Sequence, residues 1–126
     1  MNQGLPKWIF ITCTLISLLS FFVGVSLYLS PETFIKDVDF AAMGVRYLAN
    51  MWAARQISIG GILAFSLLRR SSSMLQVSLL AYFLMNLQDA GIGILKADSG
   101  LIAGASIFTA LSGFMIFRLR AIETQK

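Results

Sequence analysis

Histidine is absent from this chain, and cysteine occurs once, as Cys13. No internal disulfide can form. A structural zinc site, a histidine-ligated haem or an iron–sulfur cluster would lack an adequate ligand set within one chain. We therefore expect no metal and no resident cofactor. Cys13 lies in an apolar run with no Lys or His beside it to favour a thiolate. It reads as a small buried hydrophobe rather than a catalytic nucleophile.

Charge is the second scarcity. Asp, Glu, Lys and Arg make up 13% of the residues, while 57% are hydrophobic. Soluble domains carry about 25% charged residues. So few charges cannot cover a water-soluble globule, so lipid is the expected solvent. The net charge of +4 raises nucleic acid as a partner. The basic residues sit at the ends of apolar runs, however, and that is the membrane pattern, so no nucleic-acid partner is expected.

What is present is a set of long apolar runs, near residues 8–29, 41–68, 74–95 and 101–117. A helix needs about 20 residues to cross some 30 Å of hydrocarbon. Only helices or closed barrels satisfy a backbone in lipid, and these runs are too long and continuous for barrel strands. The fold class is an all-α, integral-membrane four-helix up-down bundle, read as one domain over residues 1–126. Lys7 and the run after it resemble a signal peptide, but the run exceeds the usual 7–15-residue core and has no A-x-A site. We expect a retained helix.

Pro31 ends the first helix and biases Ser30 away from helical angles. An acidic stretch from Glu32 to Asp39 follows, read as a short amphipathic link. Tight turns are expected over residues 69–73 and 96–100, the second with Asp98 or Ser99 as a cap. Short loops force antiparallel neighbours. One face then receives Lys7, Arg69, Arg70, Arg118, Arg120 and Lys126. The other receives Lys36 and Lys96 with Glu32, Asp37, Asp39 and Asp98. This imbalance puts both termini in the cytoplasm. A bacterial inner membrane is the expected location.

Charges inside the runs are the informative exceptions. One at the centre of a lipid-embedded helix costs about 2.5–3.5 kcal/mol on insertion scales, so it needs a partner or a role. The third run carries Ser78, Tyr82, Asn86, Asp89 and Gly93 on one helical face. Gln88 lies at its edge. The second run holds Arg46, Asn50, Arg55 and Gln56, and a small-residue face of Ala49, Ala53, Gly60 and Ala64. At about 1.5 Å per residue, Asp89 lies about 9 Å from the outer end of its helix, Arg55 about 18 Å and Arg46 about 5 Å. An Arg55–Asp89 pair is expected, with Asn86 and Tyr82 as neighbours. Arg46 either takes Asp89 or snorkels outward. Such a pair fixes helix register, lines a ligand cavity or marks an ion path.

The first run offers Cys13, Ser17, Ser20 and Gly24 on one side. The fourth offers a GxxxG at Gly100 and Gly104, and a face of Ala105, Thr109 and Ser112. Close helix packing is the simpler meaning of both, and a homodimer or a membrane-protein partner stays open. Trp8 and Tyr28 fit interfacial anchors.

Residues 54–61 (Ala-Arg-Gln-Ile-Ser-Ile-Gly-Gly) and Asp89 within residues 87–90 (Leu-Gln-Asp-Ala) resemble a group of small four-helix membrane proteins related to the DoxX family. The likeness spans about half the chain. It implies a four-helix bundle with Arg55 and Asp89 facing inward. Some DoxX-like proteins are associated with quinone-linked oxidation, but no residue set here would itself carry electrons. Small multidrug transporters place a carboxylate in the first helix, and this one has none. Fluoride channels share a helix like residues 43–47 but need a Thr/Phe-rich third helix, which is absent.

Three functions follow. The first is a module binding a lipophilic small molecule or lipid, its polar head held by Arg55, Asp89, Asn86, Tyr82, Arg46 and Asn50. The second is a cofactor-free membrane enzyme of isomerase or cyclase type, with Asp89 as acid/base and Arg55 as its charge partner. The third is an assembly subunit of a larger membrane complex. Membrane lipids are partners in every case.

Overall fold

The computed structural model describes residues 5–33 and 39–124. Lys36, Asp37, Lys126 and the middle of the acidic link lie outside the described residues. Four α-helices follow in order: α1 (Lys7–Leu29), α2 (Val45–Leu68), α3 (Ser72–Lys96) and α4 (Ser99–Thr124). A 3-10 turn, Pro31–Thr33, follows α1. The described residues contain no strand. The fold is all-α, and all four helices are long and apolar enough to cross a membrane.

Burial follows the logic of a lipid solvent. The residues withdrawn from the surface include Ser17, Ser20, Ser66, Ser78, Asn86 and Ser112. Those left on the outside include Leu15, Leu18, Phe22, Ile107 and Phe117. Water would favour the reverse, whereas hydrocarbon leaves large apolar side chains at no cost and drives polar groups inward.

The helix ends follow local chemistry, with three boundaries shifted from the hydrophobic pattern. Helix α2 begins at Val45 rather than near residue 41. Asp39 accepts the Ala41 N–H at 2.9 Å, and Gly44 takes φ +83, so the chain turns before it winds. Ser71 caps α3, accepting the Met74 N–H at 3.2 Å, and brings its start forward to Ser72. Helix α4 continues to Thr124, because the Arg-Leu-Arg-Ala run beyond Phe117 is made of strong helix formers. Asp98 is the α4 cap, accepting the Leu101 N–H at 3.1 Å. Helix α3 stops at Ala97, which has φ 55, and the Asp98 N–H reaches back to Gly93 O at 2.9 Å.

The chain forms two compact units. One is Ile11–Phe65, most of α1 and α2. The other joins the residues up to Phe10 to those from Ser66 onward. Within the first, the expected small faces of α1 and α2 meet. Ser17 Oγ donates to Gly60 O at 2.8 Å. A Cβ on Gly60 would lie 3.1 Å from Ser17 O, and one on Gly24 would strike Ile57 Cγ1. Positions rise along α1 as they fall along α2, so the pair is antiparallel.

In the second unit α3 and α4 are also antiparallel. A Cβ on Gly93 would lie 2.9 Å from Ile102 Cγ1, and one on Gly113 would lie 3.2 Å from Phe83 Cε2. Gly104 would meet nothing, so it takes no part in this packing. At the far end, Trp8 stacks on Phe114 with centroids 5.7 Å apart. The Arg70 guanidinium lies 5.5 Å from the Phe10 ring centre. The start of α1, the α2–α3 turn and the last turns of α4 therefore share one end of this unit.

Candidate functional site

The α3 stripe is where its period placed it. Ser78, Tyr82, Asn86 and Gly93 are buried, and Asp89 is half-buried. Two of the stripe's polar groups, Ser78 and Asn86, bond within their own helix. Ser78 Oγ donates to Met74 O at 2.8 Å, and Asn86 Nδ2 donates to Tyr82 O at 2.8 Å. On α4, Thr109 Oγ1 donates to Ala105 O and Ser112 Oγ to Phe108 O, each at 2.7 Å. This back-bonding lets hydroxyls and amides sit in an apolar span without an external partner. The stripe's contacts with other helices include the Ser66–Ser78 hydroxyl pair at 2.7 Å, and the edge of Tyr82 against Phe108 at 6.0 Å and 74°.

The membrane charges have different settings. Arg46 lies in the first turn of α2, where its Nη2 stands 3.2 Å from Glu32 Oε1, both side chains more than half exposed. Its carboxylate partner is thus Glu32, and the outward, snorkelling alternative describes it. Sequence missed this pair because the partners are separated by the turn between α1 and α2. Asn50 is half-buried on α2. Arg55 is exposed on α2 within Ile11–Phe65, and Asp89 belongs to the other unit. Among the described residues no three Asp, Glu or Cys side chains converge as a metal-ligand group.

Beside the stripe lies an open groove of about 290 Å³. Helix α3 lines it with Phe83, Leu87 and Ala90. Helix α4 lines it with Ser106, Thr109, Ala110, Gly113 and Phe114. The α3 residues repeat at i, i+4, i+7, and Ser106, Ala110 and Gly113 follow the same rhythm. Phe83 and Leu87 thus face a strip of small residues, Ser106, Ala110 and Gly113, with Phe114 as the large side chain on the α4 wall. Of the lining residues, the sequence marks Thr109 as part of a packing face and Leu87 and Ala90 only as neighbours of Asp89, and none as a groove wall. The matching rhythm was the available signal, but it identifies a groove only once the two faces are known to oppose. Ser106 and Thr109 are its weakly polar points, and Thr109 already donates to its own helix.

No protein family, curated protein or solved structure matches this chain.

Proposed function

We propose that this multi-pass membrane chain is a binding module that seats a lipophilic molecule in the α3–α4 groove. The observation that supports it is the groove itself: an open, mostly apolar trough of about 290 Å³, lined along α4 by Ser106, Thr109, Ala110 and Gly113 with Phe114. Ligand pockets are concave and mostly apolar, with few polar points. The groove is preferred over the neighbouring stripe as the seat because the stripe's Ser78 and Asn86 already donate to carbonyls of their own helix. The proposal includes both termini in the cytoplasm, a bacterial inner membrane, and kinship with DoxX-related proteins on residues 54–61 and 87–90.

The test is retention. Wild-type protein extracted in mild detergent should keep a stoichiometric lipophile that organic solvent releases and mass spectrometry identifies. Ala110→Leu puts bulk into an exposed groove wall and should lose it. Equal retention by both proteins would sink the reading.

One observation favours a second reading. Asp89 is a half-buried carboxylate about 10 Å inside the Lys96 end of α3, one turn from Asn86. A carboxylate held there could move a proton on a bound lipophile, as an isomerase or cyclase requires. Asp89→Asn with binding intact and turnover lost would support this enzyme; unchanged turnover would remove it.

A further inference from the structure

We propose that the groove's occupant is one acyl chain of an anionic phospholipid, its phosphate held at the groove's mouth by Arg120 and Gln76. The proposal rests on the groove being a binding seat and adds the ligand class and the residues that select it.

The register supplies the mouth. Phe83 opposes Gly113 across the antiparallel pair. Seven residues further toward the shared end of the unit, Gln76 on α3 stands level with Arg120 on α4. Seven residues advance a helix by about 10 Å and turn it only about 20° from the starting face. Both residues therefore stay in line with the groove. The Cβ of Arg120 tilts toward the α4 N-terminus, which carries its arm back toward the groove. Gln76 Nε2 donates one hydrogen to Ser72 Oγ at 3.2 Å. An amide nitrogen carries a second.

Length and charge identify the occupant. Phe117 lies on the same line between Gly113 and Arg120 and is exposed. The groove's α4 lining, Ser106 to Phe114, runs about 12 Å, and the exposed Phe117 continues its line toward Arg120 to about 16 Å in all, close to half of the roughly 30 Å hydrocarbon core. That is the depth of one leaflet's chains. The end of the unit toward which this line runs collects Lys7, Arg69, Arg70, Arg118 and Arg120, with Glu123 as the carboxylate on the last turn of α4. A cationic mouth over an apolar trough complements a phosphate carrying an acyl chain. Guanidinium groups match phosphate geometry well.

Trp8 reports occupancy, because it stacks on Phe114 in the groove wall. Trp52→Phe leaves Trp8 as the sole tryptophan. The protein is placed in phosphatidylcholine vesicles containing phosphatidylglycerol, with bromine on the chains of one lipid or the other. At equal mole fraction, brominated phosphatidylglycerol should quench Trp8 with an apparent affinity about fivefold higher. Arg120→Gln should bring the two lipids to parity. Arg118→Gln removes the same charge about 160° around the helix and should leave the preference intact. Ala110→Leu should reduce quenching by both lipids. Equal loss of preference in both arginine variants would mean general surface attraction and would overturn the proposal. Parity of the two lipids in the unmodified groove, with quenching still sensitive to Ala110→Leu, would overturn the phosphate assignment but leave the groove as a seat. Insensitivity to Ala110→Leu would overturn both.

Discussion

A methyl group at Gly24 would collide with Ile57 Cγ1 and sit 3.1 Å from Ala53 O. Glycine is needed there for close approach, not for backbone freedom. Gly24→Ala should therefore lower stability by about 1–3 kcal/mol, read as a shift in the denaturant midpoint of helicity in micelles. Ile57→Ala removes the colliding atom, so the double variant should be more stable than the two single losses predict when added. Strict additivity would show that the contact is absent. Ala97 presents the opposite case. It holds φ 55 at the end of α3, a conformation that costs a residue with a Cβ about 1–2 kcal/mol. Replacing Ala97 with Gly relieves that strain and gives back about 0.4–1 kcal/mol through the freer unfolded chain. The net gain should be about 0.5–1 kcal/mol, measured in the same titration. A loss would mean that the turn is not under strain.

At the scale of elements, helix α3 is fixed by what its stripe meets. The Ser66–Ser78 hydroxyl pair links the end of α2 to the start of α3, and Ser78 also donates to Met74 O. Interhelical hydrogen bonds in membranes average about 0.6 kcal/mol. Ser66→Ala and Ser78→Ala should each destabilise by about that amount, with a coupling of similar size in a double-mutant cycle; zero coupling would dismiss the pair. The elements also show what the sequence discloses. A polar stripe inside an apolar helix reads directly, because helical spacing and the cost of polarity in lipid both point inward. Ser78, Tyr82 and Asn86 are buried as that argument requires. The small faces of α1 and α2 read for the same reason, and Ser17 bonds Gly60 where they meet. Boundaries read less well. Asp39 and Gly44 delay α2 through turn chemistry that a hydrophobic run does not reveal. The groove reads least, since it depends on Phe83 opposing Gly113. That register belongs to two helices together and to neither alone.

At the scale of the whole chain, charge is the remaining organiser. Arg55 and Asp89 lie in separate units. The expectation that they pair rests on the cost of a lone charge in hydrocarbon. Exchanging them, Arg55→Asp with Asp89→Arg, tests that expectation: recovery of the folded yield that either single change loses would support it, and no recovery would remove it.

Sidedness rests on firmer geometry, because its main landmarks fall within one unit. Trp8 against Phe114, and Arg70 over Phe10, gather the start of α1, the α2–α3 turn and the end of α4 at one end. The α3–α4 turn, with Lys96 and Asp98, marks the other. Lys and Arg are retained on the cytoplasmic side during insertion, so the end with Lys7, Arg69, Arg70, Arg118 and Arg120 should face inward. Cys13 is buried and is the lone thiol, so a Cys13→Ser background is silent to maleimides. In that background Gly100→Cys probes the α3–α4 turn and Ser73→Cys the turn after α2, both exposed positions. An impermeant maleimide should label Gly100→Cys on intact cells and Ser73→Cys only after the membrane is opened. The reverse pattern would invert the chain. It would also place the cationic mouth of the groove on the outer leaflet, so the same two cysteines decide from which leaflet the lipid enters.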